Sequence, residues 1–145
     1  VIYGSKKLDI EDQKELTKAL KEKSIKGGFD IIYDPIGDCY PEPALRSINW
    51  KGRYLVIGFA AGKIPKIPLN LALLKGCEIV GVFWGAFTAN ERKNNINNII
   101  EIGKLMSSKK INPFISKRLP MESSAQAIKM IGERKVLGKV VLINE

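Results

Sequence analysis

The 145-residue chain contains no histidine, and that absence narrows its chemistry more than any residue present. Nucleophile systems built on Ser-His or Cys-His pairs, and zinc sites that use imidazole, are excluded within these residues. The two cysteines, Cys39 and Cys77, lack metal or redox spacing. Each sits beside an apolar run, so both read as buried or half-buried free thiols in a reducing compartment. What remains is chemistry by placement, where glycines and aromatic residues follow apolar runs. Three such groups stand out: Asp34-Pro35-Ile36-Gly37, Gly58-Phe59 and Val82-Phe83-Trp84-Gly85.

The elements that must position these groups come in a regular order. Phe29–Asp34, Tyr54–Phe59 and Cys77–Trp84 are short runs rich in Ile, Val, Tyr and Phe, set apart by helix-length segments at Pro41–Trp50 and Asn70–Lys75. Strands alternating with helices predict right-handed βαβ crossovers in a parallel sheet. The nearly continuous apolar character of Phe29–Asp34 predicts a central strand covered on both faces. Pro35 then supplies no ladder donor and ends it. Before it, Leu8–Ser24 carries Leu16, Ala19 and Leu20 at helical spacing, with Asp9, Glu11 and Asp12 at the start where acidic groups favour a helix N-terminus. The loop Ala60–Pro68 is long for a simple connection, and such loops often carry function.

Downstream, Gly85–Asn90 reads as a loop into a helix over Glu91–Lys109. Ile111–Leu119 reads as extended, Met121–Arg134 as a second amphipathic helix, and Gly138–Ile143 as a terminal strand. Val1-Ile2-Tyr3 reads as a strand cut off at its front or as a frayed terminus. No repeat, linker or low-complexity segment is present.

The formal net charge is +9, so the distribution of basic residues decides what the charge is for. Basic doublets occur at Lys6-Lys7, Lys109-Lys110 and Lys117-Arg118 without an aromatic-interleaved stripe. Scattered charge of this kind predicts a solvated surface with a mild preference for anionic small molecules, and no nucleic-acid partner. No signal-peptide pattern is visible at the start, and the longest apolar run is far short of a bilayer span. A cytoplasmic protein without a membrane partner is expected.

A doubly wound sheet holds dinucleotides where strand order reverses, with a glycine-rich turn after its first strand against the pyrophosphate. That GxGxxG turn does not occur here, and Gly58 and Gly62 flank a loop that does not replace it. In the order 3-2-1-4-5-6, the three central runs fit the fourth, fifth and sixth strands, so the sequence reads as the second half of a larger fold.

The ordered series FDIIYDPIGD, ALRSINWKGRYLVIGFAAGKIPKIPLNLALLKGCEIVGVFWGAF and VLGKVVLINE closely resembles the C-terminal part of zinc-independent medium-chain dehydrogenase/reductases of the quinone oxidoreductase (zeta-crystallin-like) group. The resemblance covers nearly the whole chain and is weakest before Lys26. It implies an α/β fold: the C-terminal half of a Rossmann-like doubly wound parallel sheet, plus a C-terminal strand returning to a GroES-like domain that these residues lack. Residues 1–145 would then form one partial dinucleotide-binding domain, with the returning segment over about 111–145.

The resemblance further implies NADPH as cofactor and hydride transfer to a quinone or enone. Carried over by position, Ile36 and Gly37 would lie by the adenosine ribose, while Gly58 and Phe59 line the nicotinamide pocket. Val82, Phe83 and Trp84 would contact the nicotinamide or its carboxamide, and Gly138 and Lys139 would sit near the cofactor. No catalytic or metal-ligating residue is carried over. The Val82–Trp84 segment, as an outer edge strand, would also pair across a two-fold axis in a homodimer. By residue chemistry alone, Gly37 and Gly58 also read as turn glycines. Phe59, Phe83 and Trp84 read more readily as core or interface than as cofactor contacts, and Lys139 as a surface lysine. Two expectations follow. Either the chain is the cofactor-domain portion of an NADPH-dependent quinone or enone oxidoreductase, inactive without its missing portion, or it is a non-catalytic dimerisation or interaction module.

Overall fold

The computed structural model describes residues 8–144, so the stub at Val1-Ile2-Tyr3 lies outside the described residues. The chain divides into two compact units, one running up to Ala86 and the other from Phe87.

In the first unit, α1 (Ile10–Lys23) begins where the acidic residues place it. The Asp9 carboxylate accepts from the Asp12 N–H at 2.8 Å, and the Asp12 carboxylate accepts from the Asp9 N–H at 3.2 Å. This reciprocal cap satisfies two of the otherwise unpaired amides of the first turn. Then come β1 (Phe29–Asp34), α2 (Pro41–Arg46), β2 (Ile48–Val56), α3 (Asn70–Lys75) and β3 (Glu78–Gly81). The three strands form one parallel sheet in the order β1-β2-β3. Two consecutive βαβ units therefore build it, as the alternation of periodicities predicts.

Register is what matters for function. Asp34 pairs with Val56, and Val56 pairs with Gly81, so all three strands end at one level. The residues that follow them emerge along a common carboxyl-end rim. Beneath the sheet, Leu45, Ile48, Tyr54 and Leu71 form the buried core, with Ile32, Ala44, Val56, Ile67 and Cys77 packed around it. Leu16 is buried on α1, and the Thr17 hydroxyl lies 3.4 Å from the Pro43 carbonyl of α2.

Five expectations are corrected here. The strand expected over Tyr54–Phe59 starts at Ile48 and ends at Val56, so Ile57, Gly58 and Phe59 lie beyond it. The helix expected over Pro41–Trp50 stops at Arg46, and Ile48, Asn49 and Trp50 join β2. The buried Ser47 turns the chain: its hydroxyl donates to the Ala44 carbonyl at 2.7 Å, and its own carbonyl accepts the Phe29 N–H at 3.0 Å. A helix through Ser47 would leave the first donor of β1 without that acceptor. β1 is not covered on both faces. It is an edge of the sheet among the described residues, with Ile32 toward the core and Ile31 and Tyr33 exposed. The strand expected over Cys77–Trp84 spans only Glu78–Gly81, because β2 offers no ladder position beyond Val56. The expected loop Gly85–Asn90 belongs to a helix, α4 (Trp84–Asn90), in which Ala86 and Ala89 are good helix formers.

α3 ends on Gly76, whose left-handed conformation (φ 53°) terminates the helix. A Cβ there would stand 2.8 Å from the Trp50 ring, so glycine is required twice over.

The second unit contains α5 (Arg92–Ser107), β4 (Ile115–Pro120), a single 3₁₀ turn at Met121–Ser123, α6 (Ser124–Gly132) and β5 (Lys139–Ile143). β4 and β5 pair in parallel around the α6 crossover. Ile96, Ile99 and Ile100 of α5 and Ile128 and Ile131 of α6 are exposed. No helix among the described residues is long and apolar enough to cross a membrane.

Candidate functional site

The rim above the first sheet is organised by Asp34, the last residue of β1. Its Oδ1 accepts from the Ile36 N–H at 2.8 Å and from the Gly37 N–H at 3.1 Å. This is the Asx turn that an Asp before Pro-x-Gly favours, with Pro35 holding φ for the bend. Its Oδ2 accepts the hydroxyl of Tyr54 from the adjacent strand. Its backbone carbonyl accepts from Ile57 N–H at 2.9 Å and Gly58 N–H at 3.4 Å. One residue thus ties the turn after β1 to the turn after β2.

Further bonds extend the seam. Ala60 N–H donates to the Pro35 carbonyl and Ala61 N–H to the Ile36 carbonyl, each at 3.0 Å, and Asp38 N–H donates to the Lys63 carbonyl at 3.0 Å. The long loop after β2 is therefore laid against the turn after β1. Gly37 is buried at the join, with φ 71°. A Cβ on it would stand 2.8 Å from Phe59 Cδ1 and 3.1 Å from the Lys63 carbonyl, so any side chain at 37 would be both strained and obstructed. Gly58 is less constrained, its added Cβ meeting only the Pro35 carbonyl at 3.6 Å.

Of the residues singled out in the sequence, Ile36, Gly37, Gly58 and Phe59 are brought together in this seam. Val82 joins the same rim, its N–H donating to the Val56 carbonyl at 2.9 Å. Phe83 and Trp84 leave it: Phe83 is 77% exposed with its ring beside Gly85, and Trp84 opens α4 rather than extending an edge strand. Gly138 and Lys139 belong to the second unit. There Lys139 N–H donates to the Phe114 carbonyl at 2.9 Å, and Gly138 has φ 78° with no room for a Cβ against that carbonyl. Cys39 and Cys77 are both free.

Sequence reasoning missed the pair that holds the rim, Asp34 and Tyr54. Two signals were present. The Asp-Pro-x-Gly string is an Asx-turn pattern, and a tyrosine inside a buried strand needs a partner for its hydroxyl. Tyr54 is 1% exposed. Burial pushes its pKa well above the ordinary tyrosine range, and the hydrogen bond to Asp34 and that carboxylate's charge push it the same way.

Comparison with known proteins follows the fold. The family described as zinc-binding dehydrogenase matches residues 4–142. The chain belongs to that family. It is 32% identical over 126 residues to a quinone oxidoreductase-like protein 2 homolog of Nematostella vectensis, covering 85% of this chain and 34% of the relative. Among solved structures, a probable oxidoreductase from Mycobacterium abscessus is 29% identical with a TM-score of 0.69, over 88% of this chain and 36% of the other. A mycobacterial protein complexed with NADPH shares the fold at 21% identity and a TM-score of 0.75, over 92% of this chain and 40% of the other. The chain is quinone oxidoreductase-like, and its parallel α/β fold matches the C-terminal part of medium-chain dehydrogenase/reductases. It spans about a third of the length of the curated relatives it matches.

The family's description names zinc. Among the described residues no group of three or more His, Cys, Asp or Glu side chains could hold a metal ion, and the sequence has no histidine. This donor set does not fit a zinc centre, and no step is assigned to one.

The Tyr54 environment sets a pH prediction. A raised folded-state pKa means that the folded chain holds the phenolic proton more tightly than the unfolded chain. The resulting stability is fully present below about pH 10, where free tyrosine titrates, and falls as pH rises beyond it. Denaturant titrations between pH 8 and 11 should show wild type losing stability above about pH 10 by up to about 1.4 kcal/mol per pH unit more than Tyr54→Phe. Parallel curves for the two proteins would refute this assignment.

Proposed function

We propose that this chain forms the nicotinamide-cofactor portion of a cytoplasmic oxidoreductase that transfers hydride from NADPH to a quinone or enone. The observation that carries the reading is the shared level of the three strand ends, Asp34, Val56 and Gly81. Ligands of parallel α/β sheets collect outside the carboxyl ends of the strands, and here that edge presents Ile36, Gly37, Gly58, Phe59 and Val82. In this reading Ile36 and Gly37 face the adenosine ribose. Gly58 and Phe59 line the nicotinamide pocket, and Val82 contacts the ring or its carboxamide.

NADPH, when bound, supplies the hydride. The chain's own residues bind and orient it: close backbone at Gly58, a ring face at Phe59 and a turn fixed by Asp34. The relatives' names support the oxidoreductase reading, and the NADPH complex of a fold neighbour supports the cofactor. The two free thiols accord with a reducing compartment.

Hydride transfer needs cofactor and acceptor held together. These residues contain neither the glycine-rich pyrophosphate turn nor an acceptor pocket assigned to any side chain. The chain alone is therefore inactive and binds NADPH more weakly than micromolar. Calorimetry should detect no micromolar binding, while amide spectra in millimolar NADPH should shift at Gly37, Gly58 and Phe59. Micromolar affinity would contradict the dependence on further residues, and an unperturbed rim at millimolar NADPH would contradict the cofactor reading.

A second reading, a non-catalytic module that pairs with a copy of itself, draws on the exposure of Val82, Phe83 and Trp84. An exposed apolar segment beside an open strand edge favours association. In this second reading the chain is a homodimer through this segment. Sedimentation should give a dimer that Phe83→Lys converts to monomer. A wild-type chain that stays monomeric at high concentration would exclude that interface.

A further inference from the structure

Tyr54 is a buried titratable group that binds nothing in the reading above, yet its hydroxyl reaches the residue on which the cofactor-facing turn depends. We propose that Tyr54 is a positioning residue: acting through Asp34, it fixes the Ile36–Gly37 turn in the conformation that receives the adenosine side of the cofactor. The inference rests on the cofactor reading and adds to it the device that shapes the rim.

An aspartate side chain turns about two torsions, and its two oxygens are equivalent until something distinguishes them. The Tyr54 hydroxyl, on a ring locked in the core with Leu45, Ile48 and Leu71, donates to Oδ2. That leaves Oδ1 directed at the Ile36 and Gly37 amides, at 2.8 and 3.1 Å.

The phenol is held more firmly than the carboxylate it holds. Tyr54 is 1% exposed and pairs in register with Ile32 on one side and Ile79 on the other. Asp34 is only partly buried and ends its strand. Positional information therefore runs from the core, through the hydroxyl, to the turn.

The turn itself is set in a conformation that needs such support. Gly37 has φ 71° and is followed by Asp38 at φ 58°, a left-handed conformation that residues with a side chain rarely adopt. The Gly37 site presses against Phe59 so closely that no Cβ fits. Loss of the Asp34 cap would release a strained turn, and the Phe59 ring would lose the surface it rests on.

The test uses the full 145-residue chain and two variants. Tyr54→Phe keeps the ring in the core and deletes only the hydroxyl. Asp34→Asn keeps a carbonyl oxygen for the two amides, and its NH₂ can donate to the Tyr54 oxygen. Amide hydrogen exchange is read without cofactor. In Tyr54→Phe, the Ile36 and Gly37 amides should exchange about tenfold faster, while the β1–β2 ladder around Ile32 and Leu55 changes by less than about threefold. Asp34→Asn, which keeps the Tyr54 contact, should retain most of the wild-type protection. Uniform acceleration across the first unit, or none at the turn, would overturn the proposal.

Millimolar NADPH is then added to each protein. The Gly37 response should fall in Tyr54→Phe by more than the Val82 response and stay close to wild type in Asp34→Asn. An equal response in wild type and Tyr54→Phe would overturn the positioning role. A wild type that does not respond at all, but whose turn loosens as predicted in Tyr54→Phe, would instead overturn the cofactor reading and leave the turn-fixing role of Tyr54 standing.

Discussion

A carboxylate that accepts two backbone amides through one oxygen and a buried phenol through the other has almost no freedom to turn. Asp34 is in that position, and its backbone carbonyl also holds the start of the next turn through Ile57 and Gly58. Hydrogen bonds to a charged acceptor are the stronger ones, and three donors meet this carboxylate. The common level of the strand ends comes from sheet register, but the shape of the rim above them comes from this residue. Gly37 against Phe59, and the loop laid along Pro35 and Ile36, follow from it.

Much of this architecture was legible in the residues. Gly27-Gly28 and Pro35 punctuate both ends of β1 and mark its span, Phe29–Asp34, in the sequence. α3 was equally clear, its end fixed by a glycine that only a left-handed cap explains. The acidic start of α1 resolved into a reciprocal cap between Asp9 and Asp12. These are local signals, carried by neighbours in sequence.

The failures are non-local. Ile48, with Ala44 and Leu45, fits a helical core face as well as a strand, and what decides for the strand is the capture of the Phe29 N–H by Ser47, eighteen positions away on the partner segment. Val82-Phe83-Trp84 has strong strand propensity, but propensity cannot extend a ladder whose partner has ended at Val56. β1 carries an apolar run suited to two covered faces, and its second face bears the exposed Ile31 and Tyr33. Of the site, Gly37 and Gly58 are readable as turn glycines, whereas the Asp34–Tyr54 contact links positions twenty apart and only the fold joins them. The resemblance to a family supplied roles for these residues; the register and the carboxylate explain how the roles could be filled.

The account stands or falls on whether Asp34 shapes the rim rather than merely decorating it. The most direct measurement is the nuclear Overhauser contact between the Gly37 α-protons and the Phe59 ring, which the closeness of the two residues makes observable. It should be present in wild type and lost in Asp34→Ala, while contacts across the Ile32–Tyr54 pair of the β1–β2 ladder persist. A Gly37–Phe59 contact that survives unchanged in Asp34→Ala would show that the rim keeps its shape without the carboxylate and would contradict the account.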